Sequence, residues 1–413
     1  MNVLLFFTFL CSAKCSLISQ NILYSIGDVV GKSLSVINVH TDPDWGLGIE
    51  ELTHRHGYNI DTHEVITEDG YILNIHRLSH ESKNMSDSKR PVVFLMHALS
   101  TSSRIWVYMG PQSLGYALVD AGYDVWMGNA RGTRYGRKHI RMNPNKDPDF
   151  WDFSFDEVGY YDLPKMIDYV LRETGTQQLI YIGHSQGNTE FFAMASRRPE
   201  YNKKIKVAVA AGPTVFAGGS RNRIQVTFLT IFIRLLGIKE MFRPGPLVPQ
   251  FGRVFCSGKL LNPCVLIYKS GSGSTASVAP KMMLMLTCAA PEGFSSKMVL
   301  HYVQLLKSGE FKRYDYGFVK NKAKYGQHSA PNIDLSKVTA PVAIFYAPND
   351  ANIPMKKIGR LHDALPNVQM MYEIKDKHFS HVDFVGSKER GELFNTPLIS
   401  YLDSVVHSSE DGS

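Results

Sequence analysis

The stretch Leu179-Ile180-Tyr181-Ile182-Gly183-His184-Ser185-Gln186-Gly187 decides the fold of this chain. The apolar, β-branched run over residues 178–182 predicts a buried strand. Behind the second glycine, Asn188-Thr189-Glu190-Phe191-Phe192-Ala193-Met194-Ala195-Ser196 predicts a helix. Gly-x-Ser-x-Gly between strand and helix is the pattern of a nucleophile elbow, a tight turn that lifts a serine hydroxyl above the C-terminal edge of a sheet. Its glycines leave room where the helix packs back against the strand. The first amides of that helix also face the serine and favour negative charge there. A plain Gly-rich turn is the competing reading of the same letters.

Working outward, residues 63–67 and 71–78 alternate in polarity on either side of Glu68-Asp69-Gly70 and predict a β-hairpin. Residues 91–96 and 123–127 predict buried strands, with a helix over 113–121 between them. A helix over 161–172 precedes the elbow strand, and a strand over 205–210 follows the elbow helix. Strands alternating with helices imply an α/β architecture, a mainly parallel sheet covered by helices on both faces. The alternation stops near Gly218 and resumes only at the strand predicted over 338–346. Between them lie an amphipathic helix predicted over 221–241, Pro- and Gly-rich turns, a Gly/Ser stretch over 271–277, a Met-rich helix over 281–287 and a helix over 299–307. The expected organisation is therefore a core over 17–217 and 333–405, an inserted helical cap over 218–332 and a polar tail over 406–413. In the second part of the core the pattern predicts a helix over 357–364, a strand over 368–374 and a last helix over 393–405.

The chain has 413 residues, 44% hydrophobic and 20% charged, which suits one large globular unit with a sizeable core. The net charge of +7 comes from scattered basic residues, which excludes a nucleic-acid footprint and reads as a solvated surface. Residues 1–16 combine an apolar run with small residues at Cys11, Ser12 and Ala13, the layout of a secretory signal peptide. The run is too short to span a bilayer, and residues 226–236 are interrupted by Arg234, so no transmembrane segment is expected. Asn84-Met85-Ser86 is a glycosylation sequon in a charged stretch. Of the five cysteines, Cys256 and Cys264 are close enough to close a small loop and are expected to pair, leaving Cys288 as a small buried hydrophobe.

A serine hydroxyl becomes nucleophilic when a base takes its proton and a third group orients that base. In this type of fold the partners follow in the order Ser, acid, His, each beyond a later strand. Asp350 fits the acid, in the turn after Ile344-Phe345-Tyr346, although Asp376 and Asp383 remain alternatives. His378 and His381 share one loop, and spacing alone leaves both open as the base. The amide of Gln186 and one from the turn at Ala98-Leu99 are placed to stabilise an oxyanion. The pattern calls for no metal and no other cofactor: neither a Cys/His cluster at metal spacing nor a Gly-rich phosphate loop occurs.

With these residues in place the chain resembles the acid lipase family of gastric and lysosomal lipases. The likeness spans residues 54–402 and rests on several ordered segments. Among them are Thr67-Glu68-Asp69-Gly70-Tyr71-Ile72-Leu73, Tyr123-Asp124-Val125-Trp126-Met127-Gly128-Asn129, Gly183-His184-Ser185-Gln186-Gly187 and His381-Val382-Asp383-Phe384. The resemblance implies an α/β-hydrolase fold acting on neutral lipid esters at a lipid–water interface. It implies Ser185 as nucleophile, Asp350 as acid, His381 rather than His378 as base, Leu99 and Gln186 as the oxyanion hole, and a cap disulfide between Cys256 and Cys264. One departure is Ala98, where the family has glycine; its methyl would tilt the Leu99 amide if the position required positive φ. The expectation is thus a secreted or lysosomal serine lipase. A non-catalytic lipid carrier on the same fold, and a hydrolase of small soluble esters, are the rival expectations.

Overall fold

The computed structural model describes residues 44, 47–80, 90–216, 230, 231, 233–243 and 292–408. The expected signal peptide, the Asn84 sequon, the Cys256–Cys264 pair, Cys288, the Met-rich helix and residues 409–413 lie outside the described residues.

Strands β1 (Tyr58–Ile66) and β2 (Tyr71–His80) form the predicted hairpin, paired from Tyr58 opposite His80 to Ile66 opposite Ile72. Its tight turn places Gly70 at φ 96°, where a Cβ would lie 2.8 Å from the His139 ring. Strands β3 (Val92–Met96), β4 (Asp124–Met127), a two-residue β5 (Lys138–His139), β6 (Leu179–His184) and β7 (Ile205–Ala211) follow. Two short strands, β8 (Glu240–Met241) and β9 (Phe294–Ser295), pair only with each other. The main sheet is completed by β10 (Val342–Tyr346) and β11 (Val368–Glu373).

Among the described residues the main sheet runs β1-β2-β4-β3-β6-β7-β10-β11, with β5 on the side of β2. Pairing is antiparallel from β1 through β4 and parallel from β4 to β11. Each central strand is buried on both faces, and its residues divide between two cores with a period of two. On β6, Leu179 and Tyr181 face one core, with Leu163, Met166, Ile167 and Phe191 from two helices. Ile180 and Ile182 face the other, with Leu114, Tyr116, Leu118, Leu398 and Leu402. A strand sandwiched in this way reads as an unbroken apolar run, which is why 178–182 was legible. Strand β7 pairs directly with β10, so the described residues between them add nothing to the main sheet.

Some elements end where the sequence pattern did not place them. The helix expected to reach residue 241 stops at Leu235. Gly237 is left-handed (φ 60°), its amide donates to Arg234 O at 3.3 Å, and Ile238 N donates to Ile233 O at 3.1 Å. That glycine stop frees Glu240 and Met241 to pair with β9. The helix expected over 161–172 spans Leu163–Thr174, behind a wide turn at Val158–Asp162, with Pro164 in its first turn. The strand expected from Val338 begins at Val342, because Val338 closes a short helical turn and Pro341 has no N–H to offer the sheet. The last helix, Thr396–His407, extends two residues beyond its expected end into the stretch read as tail.

One buried ion cluster ties the hairpin turn to the helical face. Arg131 donates to Asp162 Oδ1 at 2.8 and 2.6 Å and to the two Asp69 oxygens at 2.6 and 2.8 Å. Its guanidinium also lies 3.9 Å from the Tyr71 ring centre. Replacing Arg131 with Met strands the Asp162 carboxylate in the interior and is expected to cost about 3–5 kcal/mol in denaturant unfolding. Arg172→Met, at the exposed pair with Glu173, is expected to change stability by less than about 1 kcal/mol.

Candidate active site

Strand β6 delivers Ser185 to the middle of the sheet, between the ends of β3 and β7. Ser185 sits at φ 53°, ψ −111°, a strained conformation for any residue with a side chain. Three hydrogen bonds hold it there. Ser185 N donates to Ala211 O at 3.1 Å, Asn188 N to Ser185 O at 3.1 Å, and the Asn188 side chain to Ala211 O at 2.8 Å. The flanking glycines are required for space, since neither has positive φ. A Cβ on Gly187 would lie 2.5 Å from Met96 O, and one on Gly183 would lie 2.5 Å from Asn188 Oδ1 and 2.9 Å from Asn188 N.

Three side chains from separate parts of the chain meet at this turn. His381 Nε2 lies 2.7 Å from Ser185 Oγ, and His381 Nδ1 lies 2.7 Å from Asp350 Oδ2. Asp350 follows β10 and accepts at Oδ1 from Asn352 N (2.8 Å) and Ile353 N (3.2 Å), which leaves Oδ2 for the ring. All three residues are buried. The arrangement can pass the serine proton to His381 while Asp350 fixes the tautomer and stabilises the charged ring.

The alternatives left open by spacing lie elsewhere. His378 is exposed, and its carbonyl accepts from Asn349 Nδ2 at 3.1 Å. Asp376 accepts from His378 N at 2.8 Å within the same turn. Asp383 is buried and accepts from Ser380 N and Oγ at 2.6 and 2.8 Å, and burial pushes its carboxyl up to about 6.

The turn after β3 is organised around one carbonyl. Ala98 O accepts from His97 Nδ1 (2.8 Å), Thr101 Oγ1 (2.8 Å) and Thr101 N (3.3 Å). Because a trans peptide points its C=O and N–H in opposite directions, pinning this oxygen also aims the Leu99 N–H away from those donors. Ala98 is not among the residues with positive φ; Ser100 is, at 60°. The methyl at position 98 therefore needs no distortion of the Leu99 amide. Gln186 opens the elbow helix, and its side chain donates to Glu190 Oε1 at 2.8 Å.

Two features escaped the sequence reading. Glu292, in the stretch between β7 and β10, is buried beside this turn. Its amide donates to Ser100 O at 3.1 Å, and its carboxylate accepts from Ser102 Oγ at 3.3 Å and faces Arg104 at 3.7 Å and Arg134 at 3.4 Å. A glutamate in a Pro-Glu-Gly turn carries no signal of such a role, because its partners are distant in the chain. The second is a pair of neutral histidines. His97 accepts from Ala130 N at Nε2 (3.1 Å), and His184 donates from Nε2 to His381 O (2.9 Å). Burial lowers His97 to about 4; burial, then the neighbouring His381, lowers His184 to about 3.

These two rings are therefore expected to stay neutral wherever the protein is folded near neutrality. Their ring resonances should not shift between pH 8 and about 5, whereas an ordinary histidine titrates near 6.5. Unfolded rings accept protons below about pH 6.5 and these folded ones do not, so their contribution to stability falls as the pH drops toward the folded values. A titration of either ring centred near pH 6 in NMR would contradict the neutral assignment.

Residues 49–110 match the model of the partial alpha/beta-hydrolase lipase region, and residues 91–229 match the alpha/beta hydrolase fold. Over 381 residues the chain is 37% identical to Lipase 3 of Drosophila melanogaster, covering 90% of this chain and 95% of the fly protein. It is 34% identical to human gastric triacylglycerol lipase over 379 residues, covering 89% and 92% of the two chains. Among solved structures, a soluble variant of the monoglyceride lipase of Saccharomyces cerevisiae superposes with a TM-score of 0.50 at 13% identity, over 84% of this chain and 96% of that one. With identity above 30% along almost the full length of both relatives, and with the sheet order and elbow described above, this chain belongs to the acid lipase family of α/β-hydrolases.

Proposed function

We propose that this protein is a serine lipase that hydrolyses carboxylic esters of neutral lipids, triacylglycerols or cholesteryl esters. The observation that carries the reading is the unbroken line of two 2.7 Å contacts from Ser185 through His381 to Asp350. His381 takes the Ser185 proton as Oγ adds to the ester carbonyl, and the amides of Leu99 and Gln186 stabilise the oxyanion. His381 then protonates the departing alcohol, leaving an acyl-enzyme on Ser185. Water, deprotonated by the same ring, adds to the acyl carbonyl, and the fatty acid leaves as Ser185 recovers its proton.

The inserted stretch 218–332 serves as the cap over this site, stapled by Cys256–Cys264. Exposed apolar side chains in it support contact with a lipid surface: Ile231, Leu235 and Leu236 are 48%, 79% and 53% exposed, while Ile233 is buried. No helix among the described residues is long and apolar enough to cross a membrane. Residues 1–16 act as a signal peptide that directs the chain to the secretory route, for export or delivery to the lysosome, with glycosylation at Asn84.

The test is hydrolysis of emulsified esters of increasing acyl length, at pH about 4.5 and about 7.5, either side of an ordinary histidine. Ser185→Ala is expected to lower kcat by about 10⁴-fold or more, and Asp350→Asn by about 10⁴-fold. Long-chain hydrolysis lost in both variants supports the reading. Equal turnover by wild type and Ser185→Ala would overturn it in favour of a carrier, and turnover confined to short soluble esters would make it an esterase.

A further inference from the structure

The elbow helix carries one carboxyl group, a turn behind its start. Glu190 is completely buried. Gln186 Nε2 donates to Glu190 Oε1 at 2.8 Å. The other two polar atoms of this pair, Gln186 Oε1 and Glu190 Oε2, are both buried and have no hydrogen-bond partner among the described residues. An amide oxygen only accepts, and an ionised carboxylate only accepts, so an ionised Glu190 leaves two acceptors without a donor. One proton on Glu190 Oε2 removes both defects. In that state the acid O–H would donate to the amide oxygen while the amide N–H donates to the acid, a ring of two hydrogen bonds.

The surroundings favour that proton. Three titratable groups face Glu190 from the elements around it. These are Asp162 on the wide turn before the Leu163–Thr174 helix, Tyr181 on β6, and Tyr302 on the Ser296–Ser308 helix. Asp162 is committed to Arg131, Tyr181 donates to Gly187 O at 2.7 Å, and Tyr302 donates to Thr189 Oγ1 at 3.3 Å. Among the described residues no cation pairs with Glu190. Burial, with Asp162 adding to it, accordingly pushes this carboxyl well above the usual carboxylate range.

We propose that Glu190 is a positioning residue for ester hydrolysis: as a neutral carboxylic acid it closes a two-bond pair with the Gln186 side chain and so sets the first turn of the elbow helix, from which the Gln186 amide faces the reacting carbonyl. The inference rests on the reading of Ser185 as nucleophile and Gln186 as oxyanion donor. It has a pH consequence distinct from His381. Loss of the Glu190 proton removes one of the two bonds, leaves the Gln186 amide oxygen without a donor and places a buried anion one turn behind the amide that must hold an oxyanion, so turnover falls on the alkaline side.

Two variants and one spectroscopic measurement test it. Glu190→Gln keeps an amide partner for Gln186 but does not titrate, so its kcat should hold at alkaline pH where that of the wild type falls tenfold or more. Glu190→Leu removes the pair at every pH and should lower kcat at least tenfold with KM within about twofold. Independently of any activity, the infrared difference spectrum of wild type minus Glu190→Gln at pH 8 should contain the carbonyl stretch of a protonated carboxylic acid. If the glutamine variant does not fold, the same band is followed in the wild type, where it should disappear over the pH range in which kcat falls. Superimposable pH profiles, or no protonated carboxyl at pH 8, would overturn the inference. A wild type that shows the band but hydrolyses no ester would instead remove the proposed function and leave the acid–amide pair standing.

Discussion

The whole arrangement depends on holding Ser185 in a backbone conformation that it would not adopt alone. A non-glycine residue at φ 53°, ψ −111° costs on the order of 1–3 kcal/mol, and surrounding structure must supply that. Here the restraint comes from β7, whose last carbonyl, Ala211 O, accepts both the Ser185 amide and the Asn188 side chain. The glycines at 183 and 187 let β6, the elbow helix and the end of β3 approach to distances that a methyl group would block. Sheet order therefore comes first: β6 has to lie between β3 and β7 before the serine can be strained into place.

Two of the polar side chains around that turn are buried without charge. His97 and His184 are buried as neutral rings whose hydrogen bonds hold backbone, one in the turns after β3 and β4 and one in the loop carrying His381. Protonating either would strand a charge in the core, and at His97 it would also break the bond that Nε2 accepts from Ala130 N. Other buried charges sit against counter-charges, as at Arg131 with Asp69 and Asp162, or Arg197 with Asp156. Electrostatic stabilisation of a developing oxyanion gains from such surroundings, because fixed N–H dipoles act more strongly where no mobile charge competes.

Glu292 links the inserted stretch to this same region. Its amide holds Ser100, which has the second strained backbone near the site, and its carboxylate meets Ser102, Arg104 and Arg134. The turn that aims the Leu99 amide is thus braced from inside by His97 and Thr101 and from outside by Glu292.

The order of strands and helices, the elbow and the hairpin turn were all legible in the sequence, because each leaves a local signature. Buried strands read as apolar runs, the elbow as two glycines around a serine, and the hairpin as Asp69-Gly70 between alternating segments. The amphipathic run over 221–241 misled because its hydrophobic period continues across Gly237, whose left-handed stop is a matter of backbone geometry. The choice between His378 and His381 was closed to spacing arguments and needed the resemblance, whereas Asp350 was favoured over Asp376 and Asp383 by its place after a strand of its own. The two histidines lie three residues apart in one loop, and only its folded path turns one toward Ser185 and the other to solvent. Glu190 and Glu292 were invisible for a related reason. A glutamate on a helix or in a turn reads as a solvated charge, and only the packing of distant segments around it decides that it is buried, what it meets and whether it can keep its proton.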